Sequence, residues 1–288
     1  MKLALYSCDD GPRRIGVIVD DCIVNVLGAA PEAPHDMIEL IKGGPETIET
    51  LSRAPPQAEP IALASVRLHA PLVPPEFIAV GLNYYAHAQE ADLPVPAAPM
   101  IINKQTSCIG GPYDEVVLPR QSAQLDYEGE LGFVIGRAGR YLSREQASDA
   151  IFGYVVVNDL SVRDWQFSSP TVTLGKSFDT HGPFGPWIVT ADELKDPQGL
   201  ELTTCVNEET RQRSSTADMI FDCCEIVRFL SQVMTLQPGT LVTTGTPAGV
   251  GLFHPGGFLR AGDRVSVEIS GIGRIENKVV AEHRGCKL

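Results

Sequence analysis

The stretch DYEGELGFVIGR, residues 126–137, is the most informative part of the sequence, and its apolar second half has the length and composition of a buried strand. Glu128 and Glu130 are two residues apart, so in an extended chain their side chains point to the same face with Cα atoms about 6.5–7 Å apart. Two like charges side by side on a sheet face destabilise each other. A divalent cation between them would offset that repulsion, and a solvated strand edge is the alternative.

A third carboxylate belongs to the same prediction. Asp159 ends the apolar run GYVVVND, residues 153–159, where a charge is poorly placed for solubility alone. Three carboxylates without a paired His or Cys form an all-oxygen donor set, which favours Mg²⁺ or Mn²⁺, or Ca²⁺, over zinc. About three of six octahedral positions would remain for water and a 2-oxo acid, whose keto group the metal would polarise. Asp126, at the same spacing, is either a fourth member or, as we prefer, a strand-entry residue.

The rest of the chain predicts a β-rich α+β fold rather than a doubly wound sheet. Two helices are predicted. Ser143 and Gln146 form a capping-box pattern at the start of SREQASDAI, and residues 218–234 have apolar side chains at helical spacing. Short β-branched segments bounded by Gly, Pro or Asp supply the strands: FIAVGL, EVVLP, LGFVIGR, GYVVVNDL, PWIVT, LTTCVN, LVTTGT and RVSVEIS.

A domain boundary is predicted near residue 70. RIGVIV and CIVNV read as a hairpin, and residues 36–52 read as short helical pieces interrupted by Gly-Gly-Pro. A proline-rich passage from Pro55 to Pro75 follows them. The boundary divides the chain into a small N-terminal domain, residues 1–70, and a large domain, residues 71–288.

Composition and charge exclude several classes of protein. The 288-residue chain has 23 Lys and Arg against 36 Asp and Glu, a net charge of −13, which disfavours nucleic-acid binding. It has no apolar run of about 18 residues, so we expect no membrane span, and its first residues lack the apolar core of a signal peptide. Seven irregularly spaced cysteines without a CxxC argue against a disulfide framework or a zinc ribbon. They favour reduced thiols in a cytoplasmic protein.

A resemblance to a known family is carried by a series of long blocks: IAVGLNYYAHAQE, INKQTSCIGGPYDEVVLP, DYEGELGFVIGR, GYVVVNDLSVRDWQ, LGKSFDTHGPFGPWIV, LVTTGTPAGVG and LRAGDRVSVEISGIG. In this order, over roughly residues 72–283, they resemble the fumarylacetoacetate hydrolase family in its acylpyruvase and 2-hydroxyhepta-2,4-diene-1,7-dioate isomerase branch. The resemblance implies a mixed β-roll with a pseudo-barrel core, preceded by a small N-terminal domain. It also implies a Mg²⁺ or Mn²⁺ site at Glu128, Glu130 and Asp159, the same three residues that the carboxylate pattern selects.

The resemblance assigns catalytic roles to three further residues. His87 and Glu90 are spaced i, i+3, which on a helix places them on one face, so the carboxylate can orient and polarise the imidazole. A matching pair on a mobile lid activates water for C–C hydrolysis in the family, and a polar helix face is the alternative. Lys176 matches the family's active-site lysine, where a cation would stabilise developing negative charge. A structural ion pair with the acidic residues is its alternative role.

Three candidate substrate-binding residues complete the predicted site. Arg163 can clamp a carboxylate with two hydrogen bonds, or orient Asp159 or Asp164 instead. The resemblance places Gln166 in the substrate pocket, where its amide can donate to a carbonyl oxygen. It also places Thr246 on the substrate, and turn chemistry alone is the alternative there.

The predicted reaction is hydrolysis of a C–C bond in a 2,4-dioxo acid of the acylpyruvate type. The products would be pyruvate and a carboxylic acid, formed through an enolate that the metal stabilises. Isomerisation of a hydroxymuconate-type diacid, or decarboxylation of oxaloacetate, on the same metal site is the alternative, and a non-catalytic binding protein is a third hypothesis. The resemblance further implies a homodimer, whose ligand is a small 2-oxo acid rather than a nucleic acid or a membrane.

Overall fold

Strands dominate the structure, with 36% of residues in strands and 19% in helices, which confirms the β-rich α+β prediction. The structure is a computed structural model and describes residues 1–29, 32–53 and 59–282. None of the helices in these ranges is both long enough and apolar enough to cross a membrane. The cysteines in these ranges are unpaired, and Cys286 lies outside them.

The N-terminal elements match the predicted hairpin and helical pieces. Asp36 caps the first turn of α2 by accepting hydrogen bonds from the backbone N–H groups of Ile38 and Glu39. Gly44, the first residue of α3, has φ +64, a conformation that glycine adopts without strain. The elements are β1 (Lys2–Ser7), β2 (Arg14–Val19), β3 (Cys22–Asn25), α1 (Val26–Ala29), α2 (Met37–Lys42), α3 (Gly44–Arg53), β4 (Ile61–Ala62) and β5 (Arg67–His69).

The remaining elements form the large part of the chain. They are β6 (Phe77–Gly81), α4 (Tyr85–Glu90), β7 (Met100–Lys104), β8 (Ile109–Gly110), β9 (Val116–Leu118), β10 (Leu125–Asp126), β11 (Gly129–Ile135), α5 (Arg144–Ala150), β12 (Ile151–Asn158), β13 (Ser161–Val162), α6 (Arg163–Gln166), β14 (Gly182–Thr190), β15 (Glu201–Val206), β16 (Glu209–Ser215), α7 (Cys223–Ser231), β17 (Leu241–Thr243), β18 (Arg264–Ile269) and β19 (Gly273–Ala281).

The strands form two large sheets and one small one. The first runs in the order β4-β3-β2-β1-β14-β12-β11-β17-β6-β7, with β5 paired to β1 and β8 paired to β14. The second runs β16-β15-β18-β19-β9, and β10 pairs with β13 separately. Most pairs are antiparallel, but β17 with β6, β14 with β8 and β19 with β9 are parallel, so the sheets are mixed.

The central strand β11 is buried on both faces, which explains its unbroken apolar run. On one face Phe133 packs in a cluster with Val267 of β18 and Ile226 of α7. On the other face Val134 packs in a cluster with Leu40 of α2. Strand β11, which contains Glu130 and follows Glu128 directly, is therefore packed between two hydrophobic clusters.

The N-terminal elements continue the same sheet as the large part of the chain. Leu3 of β1 pairs with Ile188 of β14 in antiparallel register, and the α2 side chains share a cluster with β11, β12 and β14. The division into residues 1–70 and 71–288 stays a prediction, and the two segments share one hydrophobic cluster.

The predicted helices differ from the observed ones mainly in their bounds. The capping box of Ser143 and Gln146 is present at the start of α5, which confirms that prediction. The second helix, predicted from residue 218, begins at Cys223 because the Asp222 side chain accepts from the Glu225 backbone N–H and sets its first turn. Polar strands such as β16 escaped the prediction because their side chains lack a β-branched apolar pattern.

Candidate active site

The three predicted metal ligands lie together at one end of the β11–β12 pair. Gly129 pairs with Asn158, and the Asp159 backbone N–H donates to the Glu128 carbonyl oxygen at 2.8 Å. This register places Asp159 opposite the two glutamates, and one carboxylate oxygen from each residue lies within 4.8 Å of the others. All three side chains are buried.

Buried cations neutralise part of this charge. Lys176 Nζ lies 2.6 Å from Glu128 Oε2 and 2.7 Å from Asp159 Oδ2, so it bridges two of the three carboxylates. The Lys104 ammonium pairs with the other oxygen of Asp159. Arg163 Nη1 lies 2.6 Å from Glu128 Oε1. The alternative role considered for Lys176, an ion pair with the acidic residues, is therefore present in the structure.

The pKa values of the two glutamates of the motif are shifted in opposite directions. Burial would raise the pKa of Glu128, but Lys176 and Arg163 outweigh it and lower the pKa to about 2. Burial, and then the carboxylates of Asp159 and Glu128, raise the pKa of Glu130 well above its usual value. Among the described residues no Lys or Arg forms an ion pair with Glu130, and its Oε2 accepts from the Gly245 backbone N–H at 2.8 Å.

This arrangement fits a divalent cation. With Asp126 included, four buried carboxylates face three buried cations, so one negative charge on Glu130 has no counter-ion of its own. A hard ion bound by Glu128, Glu130 and Asp159 would supply that charge through the oxygen donors it prefers. The same ion would leave the site positive overall, which suits a substrate that carries a carboxylate.

The His87–Glu90 pair lies on α4 beside the carboxylates. His87 Nδ1 and Glu90 Oε2 are 3.0 Å apart, and Glu90 Oε1 accepts from the Gly249 backbone N–H at 2.8 Å. His87 is close enough to contribute to lowering the pKa of Glu128. The imidazole is therefore oriented by a carboxylate that is itself fixed, the arrangement that a general base requires.

The three predicted substrate-binding residues are already engaged inside the protein. Arg163 donates to Asp126 and Glu128, and its Nη1 also donates to Gln166 Oε1 at 2.8 Å. It pairs with neither Asp159 nor Asp164, the two alternative partners that the sequence offered. The Thr246 hydroxyl donates to the Gly129 carbonyl oxygen and accepts from the Gln212 amide. Their contact with a substrate stays a prediction.

Two further residues, Gln212 and Asn83, shape the site through long-range contacts. Gln212 of β16 accepts from the Gly129 backbone N–H at 3.0 Å and donates to Thr246, so it fixes the backbone between the two glutamates. Asn83 bonds to the backbone of residues 221 and 244 and joins the start of α4 to the turn after β17. The sequence indicates no role for either residue because each acts through long-range contacts, although Asn83 lies in the block IAVGLNYYAHAQE that carries the family resemblance.

Comparison with known proteins identifies close relatives over nearly the whole chain. The oxaloacetate tautomerase FAHD2A, mitochondrial, of Bos taurus is 40% identical over 263 residues, covering 90% of this chain and 84% of the relative. Its name contradicts the cytoplasmic location predicted for this chain, and that prediction is wrong on this comparison. Unpaired cysteines argue only against an oxidising compartment, so they could not distinguish the cytosol from other reducing compartments.

Solved structures extend the likeness to the fold. The 5-carboxymethyl-2-hydroxymuconate delta-isomerase of Mycobacterium smegmatis is 35% identical with a TM-score of 0.80, covering 98% of this chain and 100% of that one. Maleylpyruvate hydrolase of Sphingobium sp. SYK-6, in complex with manganese(II) and pyruvate, is 34% identical with a TM-score of 0.82 and the same coverage. The family model described as fumarylacetoacetate (FAA) hydrolase C-terminal matches residues 76–280. This match agrees with the sheets and the buried carboxylates described above. The chain therefore belongs to the fumarylacetoacetate hydrolase family.

Proposed function

We propose that this protein is a metal-dependent enzyme that hydrolyses the C3–C4 bond of a 2,4-dioxo acid of the acylpyruvate type, giving pyruvate and a carboxylic acid. The observation that carries the proposal is the pairing of His87 with Glu90 beside the buried carboxylates, because it combines an oriented base with a cation site. The maleylpyruvate hydrolase in complex with manganese(II) and pyruvate supports a cation site that takes a 2-oxo acid.

Each group has a defined part in the proposed reaction. The Glu128, Glu130 and Asp159 carboxylates would hold the cation, which supplies Lewis-acid polarisation of the 2-oxo group. His87 takes a proton from water on its Nε2 atom, while its Nδ1 atom stays hydrogen-bonded to Glu90. The hydroxide adds to the C4 carbonyl carbon of the substrate.

The bond between C3 and C4 then breaks, and its electron pair stays on C3 of the three-carbon fragment. The Lys176 ammonium, which lies between Glu128 and Asp159, stabilises the negative charge of that fragment. The proton held by His87 passes to C3, which completes pyruvate and returns the base to its starting state. A general base of this kind contributes about 10²–10⁴-fold to the rate.

A second candidate function is keto–enol tautomerisation of oxaloacetate. It is favoured by the bovine relative, which is named for that activity. The same groups would serve, since His87 would remove a proton from C3 and return it to the oxygen without bond cleavage. The neighbour named as a 5-carboxymethyl-2-hydroxymuconate delta-isomerase supports proton transfer of the same kind.

Product analysis separates these functions. Acylpyruvates, oxaloacetate and a hydroxymuconate-type diacid are each incubated with Mg²⁺, Mn²⁺ or EDTA, and the products are followed by ¹H NMR. We expect pyruvate and the matching acid from acylpyruvates, with the reaction abolished by EDTA. Enol–keto interconversion of oxaloacetate without cleavage would favour the second candidate, and loss of CO₂ would favour a decarboxylase. No turnover of any substrate would refute the proposal.

A matched pair of variants ties the activity to the site. Glu128→Gln removes a candidate ligand, and we expect it to abolish both metal retention and cleavage. Glu225→Gln changes a glutamate of α7 that pairs with Arg228 in the same chain and lies outside the site, and it should leave both unchanged. Full activity and metal content in Glu128→Gln would contradict the scheme.

The homodimer stays a prediction, which light scattering after size-exclusion chromatography tests.

A further inference from the structure

Asp126 is buried beside the metal candidate but is not one of its ligands. Its Oδ1 accepts from the backbone N–H groups of Gly251 at 2.6 Å and Tyr127 at 2.9 Å. Its Oδ2 accepts from Leu252 N–H at 3.0 Å and from Arg163 Nε at 2.8 Å. A buried carboxylate with this many donors is more than a residue that begins a strand.

Asp126 contacts both Arg163 and the backbone of residues 251 and 252. Through Arg163 these contacts reach Glu128, whose Oε1 lies 2.6 Å from the Arg163 guanidinium. Through Gly251 and Leu252 they reach the turn of residues 249–253. The Gly249 N–H of this turn holds Glu90, and the Phe253 ring lies 6.4 Å from the His87 ring. One side chain therefore joins the ligand side of the site to its candidate base.

The turn is built to approach this carboxylate closely. A Cβ on Gly251 would lie 2.6 Å from Asp126 Oδ1 and 2.7 Å from the Gly257 carbonyl oxygen, so no larger residue fits without moving the turn. A Cβ on Gly249 would lie 2.1 Å from the Arg211 carbonyl oxygen. Glycine at both positions, in the sequence AGVG, is explained by these contacts.

We propose that Asp126 is a positioning residue that sets the His87–Glu90 pair relative to the carboxylates, by anchoring the 249–253 turn and by holding Arg163 against Glu128. The effect on turnover rests on the proposed function, but the anchoring of the turn does not. Asp126 acts through the turn and through Arg163, and it does not touch the reacting atoms.

The charge on Asp126, and not only its shape, is what the contacts require. Asp126→Asn keeps one acceptor oxygen for Gly251 and Tyr127 but places an amide N–H₂ against Leu252 N–H and Arg163 Nε. Hydrogen bonds to charged groups are worth roughly 1.5–3 kcal/mol, which corresponds to about tenfold to 100-fold in a local opening equilibrium. We expect amide exchange in residues 249–253 to accelerate by that factor.

Hydrogen exchange measured by mass spectrometry on the full chain, without substrate, tests the anchoring. In Asp126→Asn the acceleration should be confined to the 249–253 turn and the neighbouring α4, with β12 and β14 unchanged. Asp114→Asn is the matched control, because Asp114 also binds an arginine, Arg67, and a backbone N–H, that of Gly111, away from the site. Wild-type exchange in the turn of Asp126→Asn, or equal acceleration throughout the chain, would overturn the proposal.

A second variant tests the same contact from the other side and serves if Asp126→Asn does not fold. Gly251→Ala pushes the turn off the carboxylate and leaves the Asp126–Arg163 pair in place. Gly110→Ala is its control, because the added Cβ meets only ordinary contacts at 3.6 Å. Wild-type exchange in the turn of Gly251→Ala would overturn the proposal.

Kinetics at saturating Mg²⁺ provide the readout that a purely structural role would not move. We expect both variants to lower kcat about tenfold or more with KM changed less than about threefold, because the base is misplaced while substrate binding persists. A rise in KM with unchanged kcat would overturn the positioning role. If the wild type turns over no substrate, the proposed function fails while the exchange result still decides whether Asp126 anchors the turn.

Discussion

Neutralising the two glutamates of the motif, one at a time, should change the stability of the metal-free protein in opposite directions. Glu128 is held by Lys176 and Arg163, whereas Glu130 faces two carboxylates and forms no ion pair in the described part of the chain. Glu130→Gln removes a repulsion and keeps an oxygen for the Gly245 N–H. Glu128→Gln removes the attraction between the Glu128 carboxylate and the buried Lys176 and Arg163 cations, and each cation loses an ion-pair partner.

The size of the Glu130 effect follows from distance and from protonation. At the outer limit of 4.8 Å between oxygens, one like-charge pair costs about 3.5 kcal/mol at an effective dielectric constant of about 20. Glu130 can avoid the repulsion by taking up a proton, so the cost cannot exceed the free energy of protonating it. That free energy is about 1.4 kcal/mol for each pH unit above the ordinary pKa of 4.5. We therefore expect Glu130→Gln to raise the free energy of unfolding by about 2–3 kcal/mol at pH 7.

The pH dependence has a definite sign. Because the pKa of Glu130 is raised by folding, its carboxyl costs nothing below pH 4.5 and destabilises the fold increasingly as the pH rises toward the folded-state pKa. The stability gained by Glu130→Gln should therefore vanish near pH 4.5. Glu128→Gln should instead lower the free energy of unfolding at pH 7, by roughly 3–5 kcal/mol, since breaking a buried ion pair strands its partners.

The assay is urea unfolding of wild type and both variants in EDTA, repeated with excess Mn²⁺. In EDTA the free energy of unfolding should be highest for Glu130→Gln, intermediate for wild type and lowest for Glu128→Gln. With Mn²⁺ at about 100 times its dissociation constant the wild type should gain about 2.7 kcal/mol and the variants little. Destabilisation by both substitutions in EDTA would refute the charge distribution described for the site.

Three further outcomes concern the base, the lysine and a buried histidine. His87→Asn should lower kcat about 10²–10⁴-fold without changing Mn²⁺ affinity measured by electron paramagnetic resonance, and a matching loss of Mn²⁺ would contradict the assignment. Lys176→Met should lower the free energy of unfolding in EDTA by roughly 3–5 kcal/mol, and unchanged urea unfolding would show that its ion pairs contribute nothing. Burial lowers the pKa of His181 to about 4, so the stability present above pH ~6.5 should decline as the pH falls toward 4, by about 1.4 kcal/mol per unit. His181→Asn should remove that slope in urea unfolding measured across this range.

The local features of this protein could be predicted from its amino-acid sequence. The period of two in an extended chain puts Glu128 and Glu130 on one face, and the i, i+3 spacing on a helix brings His87 to Glu90. The capping box at Ser143 is likewise complete within four residues. Each of these depends on geometry that neighbouring residues impose on one another, so no knowledge of distant contacts is needed.

The pairing of charges within the site depends on contacts between distant parts of the chain. The register of β11 against β12 brings Asp159 to Glu128, and the turn after Gly249 brings backbone donors to Asp126. Arg163, which the sequence offered as a substrate clamp, is thereby committed to Glu128 and Asp126. Strand register and loop packing are set by the burial of whole layers, and a spacing along one segment carries no record of which distant side chain will face it.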